Sequence, residues 1–228
     1  MQNDTPNVII FGEAGVGKSS VLNLILGEDK APVSADAKAY NDLNVRYDVT
    51  IDTQKYNFYD MDEANVETLG CDDAIANLYK LVCCLCETGG VNLLVFVVKC
   101  GRLSKSAQQN YALFYDTFCK RNVPIVIIVT CCENVEPMDS WWDQNKSRFM
   151  RAKMTFCGYA CVCAYRGRKI TMEIGSNDQQ SNESQEKLSY SNEDLFEESK
   201  RMVQNLIQTH CPQTSWKKKV CHVHDSGD

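Results

Sequence analysis

Eight residues near the amino terminus constrain the fold of this chain more than any others. They run Gly12-Glu13-Ala14-Gly15-Val16-Gly17-Lys18-Ser19 and match the phosphate-binding pattern G-x-x-x-x-G-K-[ST]. The apolar run at 7–11 is typical of a buried strand, and apolar residues at helical spacing follow over 20–26. A strand, a glycine loop and a helix in this order predict a phosphate-binding loop. The alternative is a glycine-rich turn that carries a surface lysine.

The residue types in this loop suit a triphosphate. Glycines allow a tight backbone turn and let main-chain N–H groups approach phosphate oxygens closely. The Lys18 ammonium is expected to neutralise the β- and γ-phosphates, and the Ser19 hydroxyl is expected to bind Mg²⁺. The predicted phosphate-binding residues are Gly12, Glu13, Ala14, Gly15, Val16, Gly17, Lys18, Ser19 and Ser20.

A second ligand for the metal is predicted at the end of a strand. Residues 55–60 alternate between polar and apolar side chains, and Asp60 is the last of them. Its carboxylate is expected to point toward the Mg²⁺ held by Ser19, although an aspartate in this position also occurs simply as a turn former. Lys18, Ser19 and Asp60 are therefore the predicted catalytic residues, and Ser19 and Asp60 the predicted metal ligands.

Composition limits the class of protein. The chain has 228 residues, of which 44% are hydrophobic, enough for a single domain with a real core. Its net charge of −6 argues against nucleic-acid binding, and no apolar run approaches the ~20 residues of a membrane span. The 13 cysteines fall mostly in apolar elements and are interpreted as small buried hydrophobes. A reducing compartment, and hence a cytoplasmic location, is expected.

Strands and helices are predicted to alternate along the chain. Two alternating runs, 45–51 and 55–60, predict a hairpin, and continuous apolar runs predict parallel strands at 91–98, 124–130 and 159–164. Helices are predicted at 72–87, 104–121 and 139–152, the second capped by Ser104. The predicted fold class is α/β, with a mostly parallel central sheet, one antiparallel edge hairpin and helices on both faces.

Four parts are predicted along the chain. The core spans 1–170, and a flexible polar insertion follows at 171–192 because that stretch is rich in Asn, Gln, Ser and Glu. A helix at 193–211 is expected to dock on the core, and 212–228 is expected to form a polar tail.

Three stretches together resemble a known family. The first is the phosphate-binding loop. The second is the strand at 93–98 running into Gly101-Arg102-Leu103-Ser104, which is similar to a G-R-aromatic-T box. The third is Thr130-Cys131-Cys132-Glu133, similar to a T-x-x-[DE] guanine motif. Over 7–170 and the last helix, the chain resembles the immune-associated nucleotide-binding (septin-like) GTPases and related small G-domain proteins of fungi. The resemblance implies a three-layer P-loop NTPase G domain that binds GTP or GDP with Mg²⁺.

Guanine recognition is predicted to depend on Glu133. Guanine presents N1–H and N2–H₂ donors on one edge, a carboxylate accepts both, and adenine would leave that carboxylate unpaired. The alternative is a solvated loop acid. By resemblance, Thr130 belongs to the same motif, and the loop after the last strand, with Ala164 and Tyr165, supplies a backbone N–H to guanine O6. Tyr165 or Arg166 is expected to stack on the base.

The chain also departs from the family pattern. Asp60-Met61-Asp62-Glu63 stands where D-x-x-G is expected, so the glycine whose N–H would meet the γ-phosphate is missing. The resemblance also implies a threonine ligand for Mg²⁺ from the family's switch loop. Ser34 and Asn41 are both candidates for that position. Arg102 is a candidate for a rate-enhancing arginine by position only, and a structural role is favoured for it.

Three functions follow from these matches and departures. The first is a GTP-binding switch that hydrolyses GTP slowly. The second is a nucleotide-binding scaffold without turnover. Septin-like relatives dimerise across the nucleotide face, so a homodimer or a partner at that face is expected. The third is an ATP-dependent P-loop enzyme, against which Thr130 and Glu133 argue.

Overall fold

The computed structural model describes residues 5–27, 45–61, 82, 85, 89–174 and 185–217. Eight strands lie in these ranges: β1 Asn7–Phe11, β2 Val45–Ile51, β3 Gln54–Asp60, β4 Leu93–Lys99, β5 Ile125–Thr130, β6 Gly158–Cys161, β7 Lys169–Ile174 and β8 Gln185–Tyr190. The helices are α1 Lys18–Leu26, α2 Lys105–Tyr111, a π-helix at Ala112–Phe118, α3 Ser140–Arg151 and α4 Glu193–His210.

Six strands form the central sheet in the order β2-β3-β1-β4-β5-β6. β2 and β3 pair antiparallel, and all other neighbours pair parallel. The predicted fold class is therefore confirmed, including the hairpin at one edge. Because the parallel strands point the same way, their carboxyl ends meet along one edge of the sheet, where ligands bind in open α/β folds.

Alternate residues of each parallel strand fill two separate cores. On β1, Ile9 and Phe11 face one core, whereas Val8 and Ile10 face the other. The first core is covered by α2, the π-helix and α3, and the second by α1 and α4. Burial on both faces explains why these strands read as continuous apolar runs in the sequence.

The helix predicted at 104–121 changes its hydrogen-bonding pattern part-way. Ser104 caps it as expected, because its hydroxyl oxygen accepts from Ala107 N at 2.8 Å. After α2, however, the turns widen into a π-helix that ends with Cys119 N donating to Phe114 O at 3.0 Å. The apolar spacing still places Tyr111, Phe114 and Phe118 in the core, so the predicted inward face is correct.

The stretch at 171–192, predicted as a flexible polar insertion, contains secondary structure. β7 and β8 pair antiparallel, with Lys169 opposite Tyr190 and Ile174 opposite Gln185. Main-chain groups satisfy each other in such a hairpin whatever the side chains are. Residues 169–174 in fact alternate between charged or polar and apolar side chains, a strand signal that the polar composition outweighed.

Other predictions lie partly outside the described residues. Of the helix predicted at 72–87, only positions 82 and 85 are described, and Val82 and Leu85 are buried and helical there. In the part of the chain that is described, no helix is long and apolar enough to cross a membrane.

Buried cysteines make the fold sensitive to alkaline pH. Burial raises the pKa of the Cys211 thiol from 9.0 to about 12 and that of Cys100 to about 11. A hydrogen bond with Cys161, together with burial, raises the pKa of Cys132. These thiols therefore stay protonated in the folded chain at a pH where the exposed thiols of the unfolded chain ionise.

We expect the free energy of unfolding to fall as pH rises above about 9, since ionisation then favours the unfolded state, with up to about 1.4 kcal/mol lost per pH unit for each such thiol. Urea unfolding in the presence of a reductant, between about pH 8 and pH 10.5, measures this slope. Cys211→Ala should make the slope shallower. A stability that does not change over this range would contradict the assignment.

Candidate nucleotide-binding site

The phosphate-binding loop turns sharply at the end of β1, where β1 and β4 lie side by side. A Cβ atom on Gly12 would overlap the carbonyl oxygen of Val97 on β4, so only glycine fits this position. Gly17, with φ 96°, is the residue that caps the start of α1. The loop thus leads directly into the amino terminus of a helix, which is where main-chain N–H groups favour an anion.

Lys18 lies inside the loop. It is 6% exposed, and its Nζ donates to the carbonyl oxygens of Gly12 at 3.0 Å and Glu13 at 3.2 Å. Both acceptors are neutral, so the positive charge is not cancelled by a carboxylate among these contacts. The side chain places a cation within the loop that is predicted to bind phosphate.

The two predicted metal ligands lie close together. The Ser19 hydroxyl is 3.4 Å from Oδ2 of Asp60. Pairing of β1 with β3 sets Ile10 opposite Asp60, which brings the carboxylate beside the first turn of α1. A hydroxyl and a carboxylate are hard oxygen ligands, and Mg²⁺ commonly takes one or two protein oxygens and completes its shell with water and phosphate. These residues therefore fit Mg²⁺.

Thr130 holds the loop against the sheet. Its side chain is 2% exposed, and its hydroxyl lies 2.6 Å from the Val16 carbonyl and 3.3 Å from the Val98 carbonyl. The sequence predicts Thr130 as a nucleotide-binding residue. The structure shows its hydroxyl engaged with the phosphate loop, so Thr130 positions that loop, and a direct contact with nucleotide stays a prediction.

The loop is fixed on its other side by a side-chain hydrogen bond. Ser104 Oγ lies 2.6 Å from Oε1 of Glu13 and also accepts from Ala107 N. The same serine thus caps α2 and bonds to the loop. The contact links the Gly101–Ser104 stretch directly to the phosphate loop.

Glu133 lies at the carboxyl edge of the sheet, just after β5. The chain turns at Cys131, with φ 61°, and Cys132 N then donates to the Val162 carbonyl at 3.1 Å. Burial is the main reason that the pKa values of the Cys100 and Cys163 thiols are raised. The negative charge of nearby Glu133 raises both pKa values further. The carboxylate therefore lies near the ends of β4 and β6, as a residue that reads a base at this edge must.

The loop after β6 is held by α4. Ser199 is fully buried, and its hydroxyl oxygen accepts from Cys163 N at 2.9 Å. Asn192 N donates to the Arg166 carbonyl at 3.0 Å, and Asn192 Nδ2 lies 3.4 Å from the Tyr165 carbonyl. A helix that is distant in sequence therefore sets the shape of the loop predicted to meet guanine.

Arg166 cannot stack on a base in this arrangement. Its guanidinium pairs with Glu193, lies 3.3 Å from Glu197, and sits 4.2 Å from the ring centre of Phe196. The Tyr165 side chain is 62% exposed and remains the candidate for stacking. Of the two residues proposed from the sequence, the structure thus leaves only Tyr165.

Sequence reasoning missed the residues that support the site from a distance. Nothing in the pattern around Ser199 or Glu193 marks a contact with residues about 30 positions earlier, because both look like ordinary helix residues. The structural role expected for Arg102 is also not seen. Its side chain is exposed, and within the described ranges it forms no hydrogen bond or ion pair. Ser34, Asn41, Asp62 and Glu63 lie outside the described residues.

The comparison with protein families agrees with this geometry. The model of the AIG1 family matches residues 6–200. The chain belongs to the AIG1 family. The immune-associated nucleotide-binding type predicted from the sequence is therefore confirmed, while the affinity to fungal proteins stays a prediction. A search of curated protein sequences found no match.

Solved structures with TM-scores above 0.5 show the same fold at low sequence identity. Era from Aquifex aeolicus, bound to GDP·AlF4−, has a TM-score of 0.51 at 16% identity, over 91% of this chain and 57% of that one. A structure of the chloroplast translocon components atToc33 and psToc159 has a TM-score of 0.51 at 13% identity, over 96% and 87%. A variant of SsGBP has a TM-score of 0.49 at 12% identity, over 90% and 57%. The chain thus spans little more than half the length of two of these structures.

Thr130→Val tests the tether of the phosphate loop. The substitution keeps the shape of the side chain and removes the hydroxyl, which leaves the Val16 carbonyl without that donor. We expect the free energy of unfolding to fall by about 1–3 kcal/mol. Urea unfolding of this variant, beside Thr50→Val on the exposed face of β2, measures the effect. Equal stability of the two variants would refute the tether.

Arg166→Ala tests the link between α4 and the loop after β6. Loss of a partly exposed ion pair and a cation–π contact should lower the free energy of unfolding by about 1–2 kcal/mol. It should also speed hydrogen exchange at the Tyr165 and Arg166 amides. Arg168→Ala, which removes an exposed arginine two residues away, is the control. An unchanged exchange rate in Arg166→Ala would show that the loop does not depend on this contact.

Proposed function

We propose that this chain is a guanine-nucleotide-binding G-domain protein that binds GTP and GDP with Mg²⁺ and hydrolyses GTP slowly. The observation that carries the proposal is the Ser19–Asp60 pair, 3.4 Å apart, beside a phosphate loop that only glycine at position 12 permits. Membership of the AIG1 family and the GDP·AlF4− found in the Era structure support it.

The residues of the chain have separable roles in this proposal. Main-chain N–H groups of the loop and the start of α1 hold the phosphates, and buried Lys18 contributes a positive charge that the fold keeps in place. Ser19 and Asp60 would hold Mg²⁺, which would neutralise the negative charge that develops on the phosphates. Glu133 accepts hydrogen bonds from guanine, and Tyr165 covers the base. Ala164 stays the predicted donor to guanine O6.

Slow turnover is proposed because the chain lacks a group that the reaction needs. The D-x-x-G glycine is absent from Asp60-Met61-Asp62-Glu63, and Met61 N is already engaged with the Ile10 carbonyl at 3.0 Å. Phosphoryl transfer depends on positioning and charge stabilisation, so loss of one fixed donor lowers the rate without preventing binding.

The same departure favours a second candidate, a nucleotide-dependent scaffold without turnover. In the translocon components atToc33 and psToc159, dimerisation is important for GTPase activity. We propose that this chain also meets a second copy or a partner across its nucleotide face. A cytoplasmic location is part of the same proposal.

Base preference is tested by thermal unfolding with GTP, GDP, ATP or no nucleotide, in the presence of Mg²⁺. We expect GTP and GDP to raise the melting temperature and ATP to leave it unchanged, because adenine would leave the Glu133 carboxylate unpaired, a mismatch worth about 10⁴ in discrimination. Glu133→Ala should remove the preference, whereas Glu136→Ala, an exposed acid on the same loop, should keep it. Equal stabilisation by ATP, or a preference that survives Glu133→Ala, would count against guanine.

Hydrolysis is tested by single-turnover assays with labelled GTP. We expect a rate of about 10⁻⁴–10⁻² s⁻¹, as in G domains that lack a partner. Glu63→Gly recreates the D-x-x-G spacing and should raise the rate, whereas Asp62→Gly leaves the pattern broken and should not. Turnover of several per second by the unmodified chain would contradict slow hydrolysis. No hydrolysis in any variant would favour the scaffold.

A further inference from the structure

A groove lies on the surface between the start of α2 and the carboxyl-terminal end of α3. It encloses about 470 Å³ and is open to solvent along its length. Its walls come from the turn before α2 and from the last turn of α3, and they carry three arginines and no acid. The residues that line this arginine groove are Arg102, Leu103, Gln108, Arg148, Arg151 and Ala152.

Of the eight arginines in the chain, five make no ion pair with a residue that the structure describes, and three of these five line the groove. Arg46, Arg121 and Arg166 each pair with a carboxylate. The guanidinium groups of Arg102, Arg148 and Arg151, by contrast, make no hydrogen bond or ion pair with any residue that the structure describes, and all three are exposed. The chain has more acidic than basic residues, with a net charge of −6. Even so, these three unpaired arginines line one groove with no acid in its lining.

Helix electrostatics accounts for only part of this pattern. Arg148 and Arg151 lie in the last turn of α3, where a positive charge interacts favourably with the helix dipole. Arg102, however, comes just before the capping residue Ser104 of α2, at the end of a helix where the dipole does not favour a cation. Arg102 also lines the same groove as the other two arginines, and like charges repel. Neither the helix dipole nor the neighbouring charges therefore explain why an arginine lies at position 102.

A ligand with several negative charges would remove this repulsion. Arginine forms paired, bidentate hydrogen bonds with carboxylates and keeps its charge at all physiological pH values. The three guanidinium groups lie at the ends of exposed side chains around an open groove. A peptide that offers several carboxylates therefore fits better than a single small ion.

The groove also offers apolar contacts. Leu103 and Ala152 contribute to its lining. Apolar side chains between the acids of a peptide would have surface to cover here, which a nucleic-acid backbone would not use.

We propose that the arginine groove binds an acidic segment of a partner protein, in which glutamate or aspartate residues alternate with apolar ones. The carboxylates pair with Arg102, Arg148 and Arg151, and the apolar side chains lie against Leu103 and Ala152. The groove adjoins the phosphate loop, since Arg102 and Leu103 also line a small pocket with Glu13. None of its three arginines is a predicted nucleotide-binding residue, so the inference stands whether or not the chain hydrolyses GTP.

The test is a fluorescence anisotropy titration of the full chain with a labelled peptide in which glutamate and leucine alternate. The triple variant Arg102→Gln, Arg148→Gln, Arg151→Gln should weaken binding by at least about tenfold. The matched control Lys120→Gln, Arg168→Gln, Arg201→Gln removes the same charge from exposed positions outside the groove and should stay close to the unmodified chain. Melting temperatures of both variants check that each is folded, and Arg102→Glu alone serves as a milder second variant.

Two further probes distinguish specific binding in the groove from a general attraction between opposite charges. A peptide with glutamine in place of every glutamate should bind at least about tenfold more weakly, since the charge pairs are lost. Equal loss in the groove and control variants, or equal binding of the glutamine peptide, would overturn the proposal. Tighter binding of a single-stranded oligonucleotide or of anionic vesicles than of the peptide would overturn it as well.

Discussion

The close approach of β1 and β4 at Gly12 is the constraint on which the rest of the site depends. The Val97 carbonyl occupies the space that a side chain on Gly12 would need, so the chain leaves β1 in a turn that only glycine allows. That turn starts α1 at Lys18 and Ser19, and parallel pairing of β1 with β3 then brings Asp60 beside Ser19. One steric requirement thus positions the phosphate loop, the buried Lys18 and the two predicted metal ligands together.

Support for this loop comes from two directions. The Thr130 hydroxyl joins it to the end of β5, and the Ser104 hydroxyl joins Glu13 to the start of α2. The side of the site predicted to meet guanine is built differently. There α4, far along the chain, holds the loop after β6 through Ser199 and Arg166.

Short-range patterns predicted most of the fold and the phosphate side of the site. Continuous apolar runs gave β1, β4 and β5, and the spacing from Gly12 to Ser19 gave the loop, because each depends on neighbours in sequence. The failures involve long-range contacts. Arg166 is one of the two residues predicted to stack on the base, the other being Tyr165. Instead it pairs with Glu193 and packs on Phe196, and no local sequence pattern indicates these contacts. The β7–β8 hairpin was not predicted, because the polar composition of 171–192 was given more weight than the alternation of polar and apolar residues at 169–174.

The central claim is that a buried lysine and a glycine turn hold the phosphates of a guanine nucleotide. Equilibrium titration of a fluorescent GDP analogue, with and without Mg²⁺, tests it most directly when the unmodified chain is compared with Lys18→Ala. The account predicts saturable, Mg²⁺-strengthened binding that is lost in Lys18→Ala while the melting temperature without nucleotide remains near that of the unmodified chain. Binding that survives Lys18→Ala unchanged, or no binding to the unmodified chain, would contradict it.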